Sequence, residues 1–156
     1  MGLFVGDTVA DAALLRPRGV AATLEDESIT FTELDAEANR WAHTLRGLGV
    51  ERGHLVSWWT GSTMRSLAGI LACARLGAVF APLSPGLGGG DEAAAILDYV
   101  GPRLLVVDAE RRDAAGAIGV DTVTVDTGAA DDLAQLSRSA STTPVHAAID
   151  EHDPHI

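Results

Sequence analysis

Lysine is absent from this 156-residue sequence, so all 11 of its basic residues are arginine. A Walker-type phosphate loop requires Gly-Lys-[Ser/Thr], and that nucleotide site is therefore excluded. Positive charge is scarce altogether: against 22 acidic residues the formal net charge is −11, and Arg111-Arg112 is the one basic doublet. Phosphate backbones are held by basic stripes, so no nucleic-acid partner is expected. Cysteine occurs once, which excludes an intrachain disulfide. Cys73 lies inside Ile70-Leu71-Ala72-Cys73-Ala74 and reads as a small buried hydrophobe, not a catalytic thiol.

Long apolar runs are missing too. No stretch approaches the ~20 residues that cross a bilayer, and no transmembrane segment is expected. The N-terminus has no basic region ahead of an apolar core, hence no signal peptide, and Gly6 stands where a myristoylation signal carries Ser or Thr. The expected location is the cytoplasm. His152 and His155 lie beside Asp150 and Asp153, but Pro154 keeps a helix from aligning them. A zinc site draws on more Cys or paired His, so these residues read as a solvated tail and no metal site is assigned.

What is present is small and aliphatic. Hydrophobic residues make up 47% of the chain while aromatics reach only 4%, which points to a globular core of Ala, Val and Leu. A compact chain of this length buries about 68–70% of its unfolded surface. Apolar spacing predicts a short helix over Asp7 to Leu15, ended before Pro17, then a hairpin of Val20 to Leu24 and Ser28 to Phe31. Thr32 is expected to cap the next helix with Asp35 as its capping-box acid. Leu34, Ala38, Trp41, Leu45 and Leu48 share one face of it; Asp35, Glu37, Asn39, Arg40, His43 and Arg46 face water or a partner.

Strands are then expected at His54 to Thr60, Ala78 to Leu83, Arg103 to Val107 and Gly119 to Val125. Helices are expected between them, at Ser62 to Leu76, Asp91 to Val100 and near Ala109 to Ala117. Such alternation is the pattern of an α/β fold with a mainly parallel sheet, flanking helices and a small N-terminal hairpin. The expected division is an α/β subdomain over 1–127, an Ala/Ser/Thr-rich linker over 128–148 with a short helix at Asp131 to Leu136, and a lead-in segment over 149–156.

The glycine-rich run Gly86-Leu87-Gly88-Gly89-Gly90 resembles a phosphate cradle ahead of a helix, but Asp91 and Glu92 follow it directly. A helix N-terminus is worth only ~0.3–1 kcal/mol to an anion, and here two carboxylates already occupy it. The run reads as a turn whose helix is capped by Asp91. Thr60-Gly61-Ser62-Thr63-Met64 lacks the flanking glycines of a nucleophile elbow, and Ser62 reads as an N-cap. Trp58 and Trp59 alternate across a strand and read as packing on its two faces. These residues supply no catalytic, cofactor-binding or metal position.

Three stretches carry a resemblance: Ile29 to Asp35 (ITFTELD) with Ala38 to Ala42 and Leu48-Gly49-Val50; Ile70 to Leu83 (ILACARLGAVFAPL); and Arg103 to Asp108 (RLLVVD). In order and spacing they resemble the first α/β subdomain in the large N-terminal domain of the adenylate-forming, AMP-binding enzymes. Leu76 to Phe80 is more similar to acyl-CoA synthetases than to amino-acid adenylation domains. The resemblance implies an ATP-dependent acyl-CoA ligase that activates a fatty or other apolar carboxylic acid as an acyl-adenylate and transfers it to CoA. It implies ATP, Mg and CoA for the full-length enzyme, with none bound by this chain. The phosphate loop, the adenine and magnesium motifs, the ribose-binding aspartate and the catalytic lysine of that family have no counterpart in the sequence, so the fragment alone is expected to be inactive. Many acyl-CoA synthetases carry an arginine in the turn that here reads Pro85-Gly86-Leu87, where it could reach CoA phosphates. The rival reading is a non-catalytic interaction module that self-associates or pairs with a partner supplying the rest of the enzyme; a small nucleotide-binding domain using the glycine run is a third.

Overall fold

The computed structural model describes residues 4–87 and 90–147. In chain order the elements are α1 (Val5–Leu15), β1 (Val20–Leu24), β2 (Glu27–Thr30), α2 (Phe31–Gly47), β3 (Leu55–Trp59) and α3 (Arg65–Leu76). There follow β4 (Val79–Pro82), α4 (Gly90–Val100), β5 (Leu104–Val107), α5 (Arg112–Gly116), β6 (Thr122–Thr124) and α6 (Leu133–Leu136). Strands β1 and β2 form an antiparallel hairpin, and the other four make a parallel sheet in the order β4-β3-β5-β6. The expected α/β class with its hairpin is the observed one.

The sheet is apolar on both faces because helices cover both. Along β5, Leu104 and Val106 enter one core with α2 and α3, whereas Leu105 and Val107 enter a second core with α4 and α5. Trp58 and Trp59 divide in the same way, as their alternation requires. Trp58 stacks on Trp41 at 5.9 Å between ring centroids and lies 5.4 Å from Phe80, so three of the seven aromatics meet in the first core.

Helix α2 starts two residues earlier than the sequence suggested. Thr30, not Thr32, is its N-cap: the Thr30 hydroxyl accepts from the Glu33 backbone N–H, and the Glu33 carboxylate accepts from the Thr30 N–H at 2.9 Å. Donation from the Thr30 N–H, and from the Thr30 hydroxyl as well, holds the Glu33 carboxyl below the usual glutamate range. Thr32 instead donates to the Pro17 carbonyl, and Asp35 accepts from Arg75 at 2.6 Å. Asn39, expected to face water or a partner, is buried, and its side-chain oxygen accepts from the Val145 N–H. Helix α3 begins at Arg65, so Ser62 caps nothing; the Thr63 hydroxyl accepts from the Arg65 N–H in that place. The helix ends at Gly77, whose φ of 66° is the left-handed stop that glycine adopts without penalty.

Arg75 is 4% exposed and satisfied by three donations, to the Gly6 carbonyl and to the Asp35 carbonyl and carboxylate, which ties α1, α2 and α3 together. The stretch expected to be a linker is packed where it is described: Leu133 and Val145 belong to the first core. Asp132, 1% exposed, accepts from the N–H groups of Thr127, Gly128 and Ala134. Burial opposes the charged form of Asp132, but these donors outweigh it and hold the carboxyl below the aspartate range.

Candidate functional site

Open parallel sheets bind ligands outside the carboxyl ends of their strands, where the chain switches direction across the sheet. Here the connection after β3 leads to β4 on one side, while the connection after β5 leads to β6 on the other. The switch point therefore lies between the ends of β3 and β5, at Thr60-Gly61-Ser62 and Asp108.

The crevice at that point is bridged. An Asp108 carboxylate oxygen accepts from the Gly61 N–H at 2.8 Å and from the Arg111 guanidinium at 2.5 Å; the other accepts from the Arg111 N–H at 3.2 Å. Arg111 also donates to the Pro85 carbonyl at 2.9 Å. One ion pair thus joins the loops that follow β3, β4 and β5. Burial works against the charged form of Asp108, but the bonds from Arg111 and Gly61 prevail and keep its carboxyl below the aspartate range.

Beside this bridge a groove of about 410 Å³ opens between the loops after β3 and β4, the start of α3 and the hairpin. That size suits a small molecule. Its walls are mainly apolar, with Trp58, Met64, Leu67, Phe80 and Leu83 among them, and Thr60, Gly61 and Ser62 form a polar rim. The Trp58 indole nitrogen is buried without a hydrogen-bond partner. A second groove of about 720 Å³, between the hairpin, α2, the start of α3 and α6, is mixed in character and contains Arg40, Arg65 and Arg138 beside Glu27, Glu33 and Glu37. Within it Arg65 pairs with Glu37 and, at 3.4 Å, with Asp126.

Of the residues singled out from the sequence, Ser62 reaches the apolar groove and Trp58 forms part of its wall. Pro85 and Gly86 form the turn after β4, and Gly90 opens α4 with Asp91 and Glu92 in its first turn. Gly88 and Gly89 lie outside the described residues, as do Asp150, His152, Asp153, Pro154 and His155. Cys73 is buried, and burial pushes its thiol up to about 12. Among the described residues no three His, Cys, Asp or Glu side chains gather as metal ligands would. Sequence reasoning missed Asp108 and Arg111 as a unit. Arg111 was visible only as half of a basic doublet, and Asp108 only as the end of RLLVVD; their spacing of three was the available signal.

A family model described as AMP-binding enzyme matches residues 9–156. The chain is 40% identical over 70 residues to the nonribosomal peptide synthetase sidE of Aspergillus fumigatus, covering 44% of this chain and 3% of that protein. It is 33% identical over 88 residues to the 3-hydroxypropionyl-coenzyme A synthetase of Metallosphaera sedula, covering 56% of this chain and 13% of the relative. The N-terminal domain of FACL13 from Mycobacterium tuberculosis superposes with a TM-score of 0.86 at 23% identity, over 97% of this chain and 40% of that one, which shows a shared fold. The chain spans between 1% and 13% of the length of the curated relatives it matches.

Proposed function

The chain belongs to the AMP-binding enzyme family, and from that premise we propose that it is the N-terminal part of an ATP-dependent acyl-CoA ligase acting on a fatty or other apolar carboxylic acid. In that reaction a carboxylate oxygen bonds to the α-phosphorus of ATP as the bond to pyrophosphate breaks. The CoA sulfur then bonds to the acyl carbon, and AMP leaves with the electron pair of the broken C–O bond.

The observation that carries the reading is the match of the AMP-binding enzyme model over residues 9–156, on a chain that folds as a hairpin and a parallel β4-β3-β5-β6 sheet. The choice of acid rests on Leu76 to Phe80, which resembles acyl-CoA synthetases more than amino-acid adenylation domains. The name of the Metallosphaera relative supports CoA as the acceptor. Among the described residues no three candidate metal ligands gather, and no step through magnesium is assigned to them. The proposed location is the cytoplasm.

A second reading, an amino acid as the carboxylate, is favoured by the likeness to the Aspergillus peptide synthetase. A third, the interaction module, is favoured by Leu14, Leu15 and Tyr99, which are 83%, 82% and 91% exposed. ATP–pyrophosphate exchange by the intact ligase, run with fatty, aromatic and amino acids, separates the first two. Light scattering of the 156-residue chain tests the third: a monodisperse monomer contradicts self-association.

A further inference from the structure

Although the net charge of the chain is −11, no acidic residue occurs from Ala12 to Leu24, and that stretch contains Leu14-Leu15-Arg16-Pro17-Arg18. Helix α1 carries the two leucines in its last turn and stops there, because a residue ahead of proline is pushed out of the helical region; Arg16 has φ −142° and ψ 66°. Leu14 and Leu15 are 83% and 82% exposed, and Arg16, Pro17 and Arg18 are exposed beside them. Scattered single leucines on a surface need no explanation, but an adjacent pair flanked by two arginines does.

The tip has a fixed shape, and much of its backbone is already paired. The Arg16 N–H donates to the Ala12 carbonyl at 2.8 Å, the Gly19 N–H to the Arg16 carbonyl at 2.9 Å, and the Phe31 N–H to the Gly19 carbonyl at 3.0 Å. The Thr32 hydroxyl donates to the Pro17 carbonyl at 2.8 Å, and Pro17 has no N–H of its own. These groups can therefore leave water without losing partners. Arg16 lies over the Phe31 ring, 5.6 Å from its centroid, while Arg18 pairs with no acid among the described residues. The acids of the adjoining segments are Asp11, one turn back, and Glu33, engaged by Thr30. Glu25, Asp26 and Glu27 lie beyond β1. A strand of that length spans ~16 Å, about two Debye lengths at physiological salt.

We infer that this tip is a peripheral membrane contact, in which Leu14 and Leu15 enter the boundary between headgroups and acyl chains while Arg16 and Arg18 pair with the phosphates of anionic phospholipids. A second copy of the chain suits the tip poorly. A two-fold contact there would bring the arginines of both copies together with only the two Asp11 side chains to offset them. A few side chains also fall far short of the ~800 Å² that each partner of a stable pair buries. Tyr99 supplies the contrast: it is 91% exposed, but it follows Asp98 on a helix with no basic residue and with Asp91 and Glu92 in its first turn. An anionic surface repels the chain as a whole, so the contact acts only within a Debye length of the tip and needs leucines and arginines together. It holds whichever acid the protein activates.

The test is co-sedimentation of the intact protein with vesicles of phosphatidylcholine alone and of an equal mixture with phosphatidylglycerol. Wild type is expected to bind the mixed vesicles and to bind phosphatidylcholine at least about tenfold less. Replacing both leucines, Leu14→Ser with Leu15→Ser, is expected to lower the bound-to-free ratio on mixed vesicles at least about tenfold. Arg16→Gln and Arg18→Gln should each lower it about fivefold, and Tyr99→Ser should leave it unchanged. Should the leucine variant fail to fold, the two arginine variants decide the matter. Absence of binding by the intact protein overturns the inference, since the rest of the protein then covers the tip. Equal binding to both vesicle types, or an equal loss in Tyr99→Ser, overturns it as well. So does a dimer in light scattering that the leucine variant abolishes, because the tip then meets a second copy. No substrate enters the assay, so its outcome is separate from that of the ligase reading.

Discussion

A methyl group at Gly69 would stand 2.6 Å from Cη2 of Trp58. The indole therefore lies directly on the backbone of α3, and glycine is what permits that approach. Trp58 has no room to retreat, because Trp41 and Phe80 pack against it at 5.9 and 5.4 Å. In an unobstructed helix, alanine is better than glycine by about 1 kcal/mol, but forcing extra atoms into a packed core costs about 1–3 kcal/mol. Gly69→Ala is accordingly expected to lower the midpoint of urea unfolding. Gly47→Ala, where an added Cβ meets nothing within 4 Å, is expected to leave it unchanged or raise it.

The cap of α2 gives a second expectation. Thr30→Ala removes the acceptor for the Glu33 N–H and is expected to cost about 1 kcal/mol, within the ~0.5–2 kcal/mol range of such caps. Thr32→Ala leaves that cap in place and removes one donation to the Pro17 carbonyl, so its effect should be smaller. Denaturant titration of the two variants side by side checks the order.

Acid should weaken the fold through Asp108 and Asp132. Both carboxyls titrate lower folded than unfolded, so their contribution is fully present above the unfolded aspartate value of about 3.9 and is lost as pH falls through the depressed folded values. Unfolding free energy measured from pH 6 down to pH 2 is expected to fall below about pH 4. In Asp132→Asn the same fall should be shallower, from a lower starting stability. An identical slope in wild type and variant would contradict the assignment.

The Cys73 thiol, buried and pushed up to about 12, should resist alkylation in the native chain. Reaction with iodoacetamide at pH 8 is expected to go to completion only in denaturant. Rapid labelling of the folded chain would mean that α3 opens readily.

Sequence periodicity read the layered fold well because burial imposes it: the α2 face of Leu34, Ala38, Trp41 and Leu45 is buried, and the two tryptophans of β3 part to opposite cores. The start of α2 was misplaced because ITFTELD offers two threonines, each three residues before an acid. Tertiary contacts chose between them: Arg75 takes Asp35, and Pro17 takes the Thr32 hydroxyl. Val145 and Asn39, 106 residues apart, illustrate the other limit, since a buried amide whose partner lies that far along the chain leaves no local pattern. The candidate site was least legible of all. The glycine run attracted the phosphate question, whereas the turn after β4, with no basic residue of its own, receives Arg111 from the connection after β5.

The central claim, that this chain is part of an enzyme that activates an apolar carboxylic acid with ATP, is tested most directly by carboxylate-dependent ATP–pyrophosphate exchange. The intact ligase and the isolated 156-residue chain should be assayed together. The account predicts exchange stimulated by an apolar carboxylic acid in the intact ligase and none in the isolated chain. Exchange by the isolated chain, or an intact protein indifferent to every carboxylic acid offered, would contradict it.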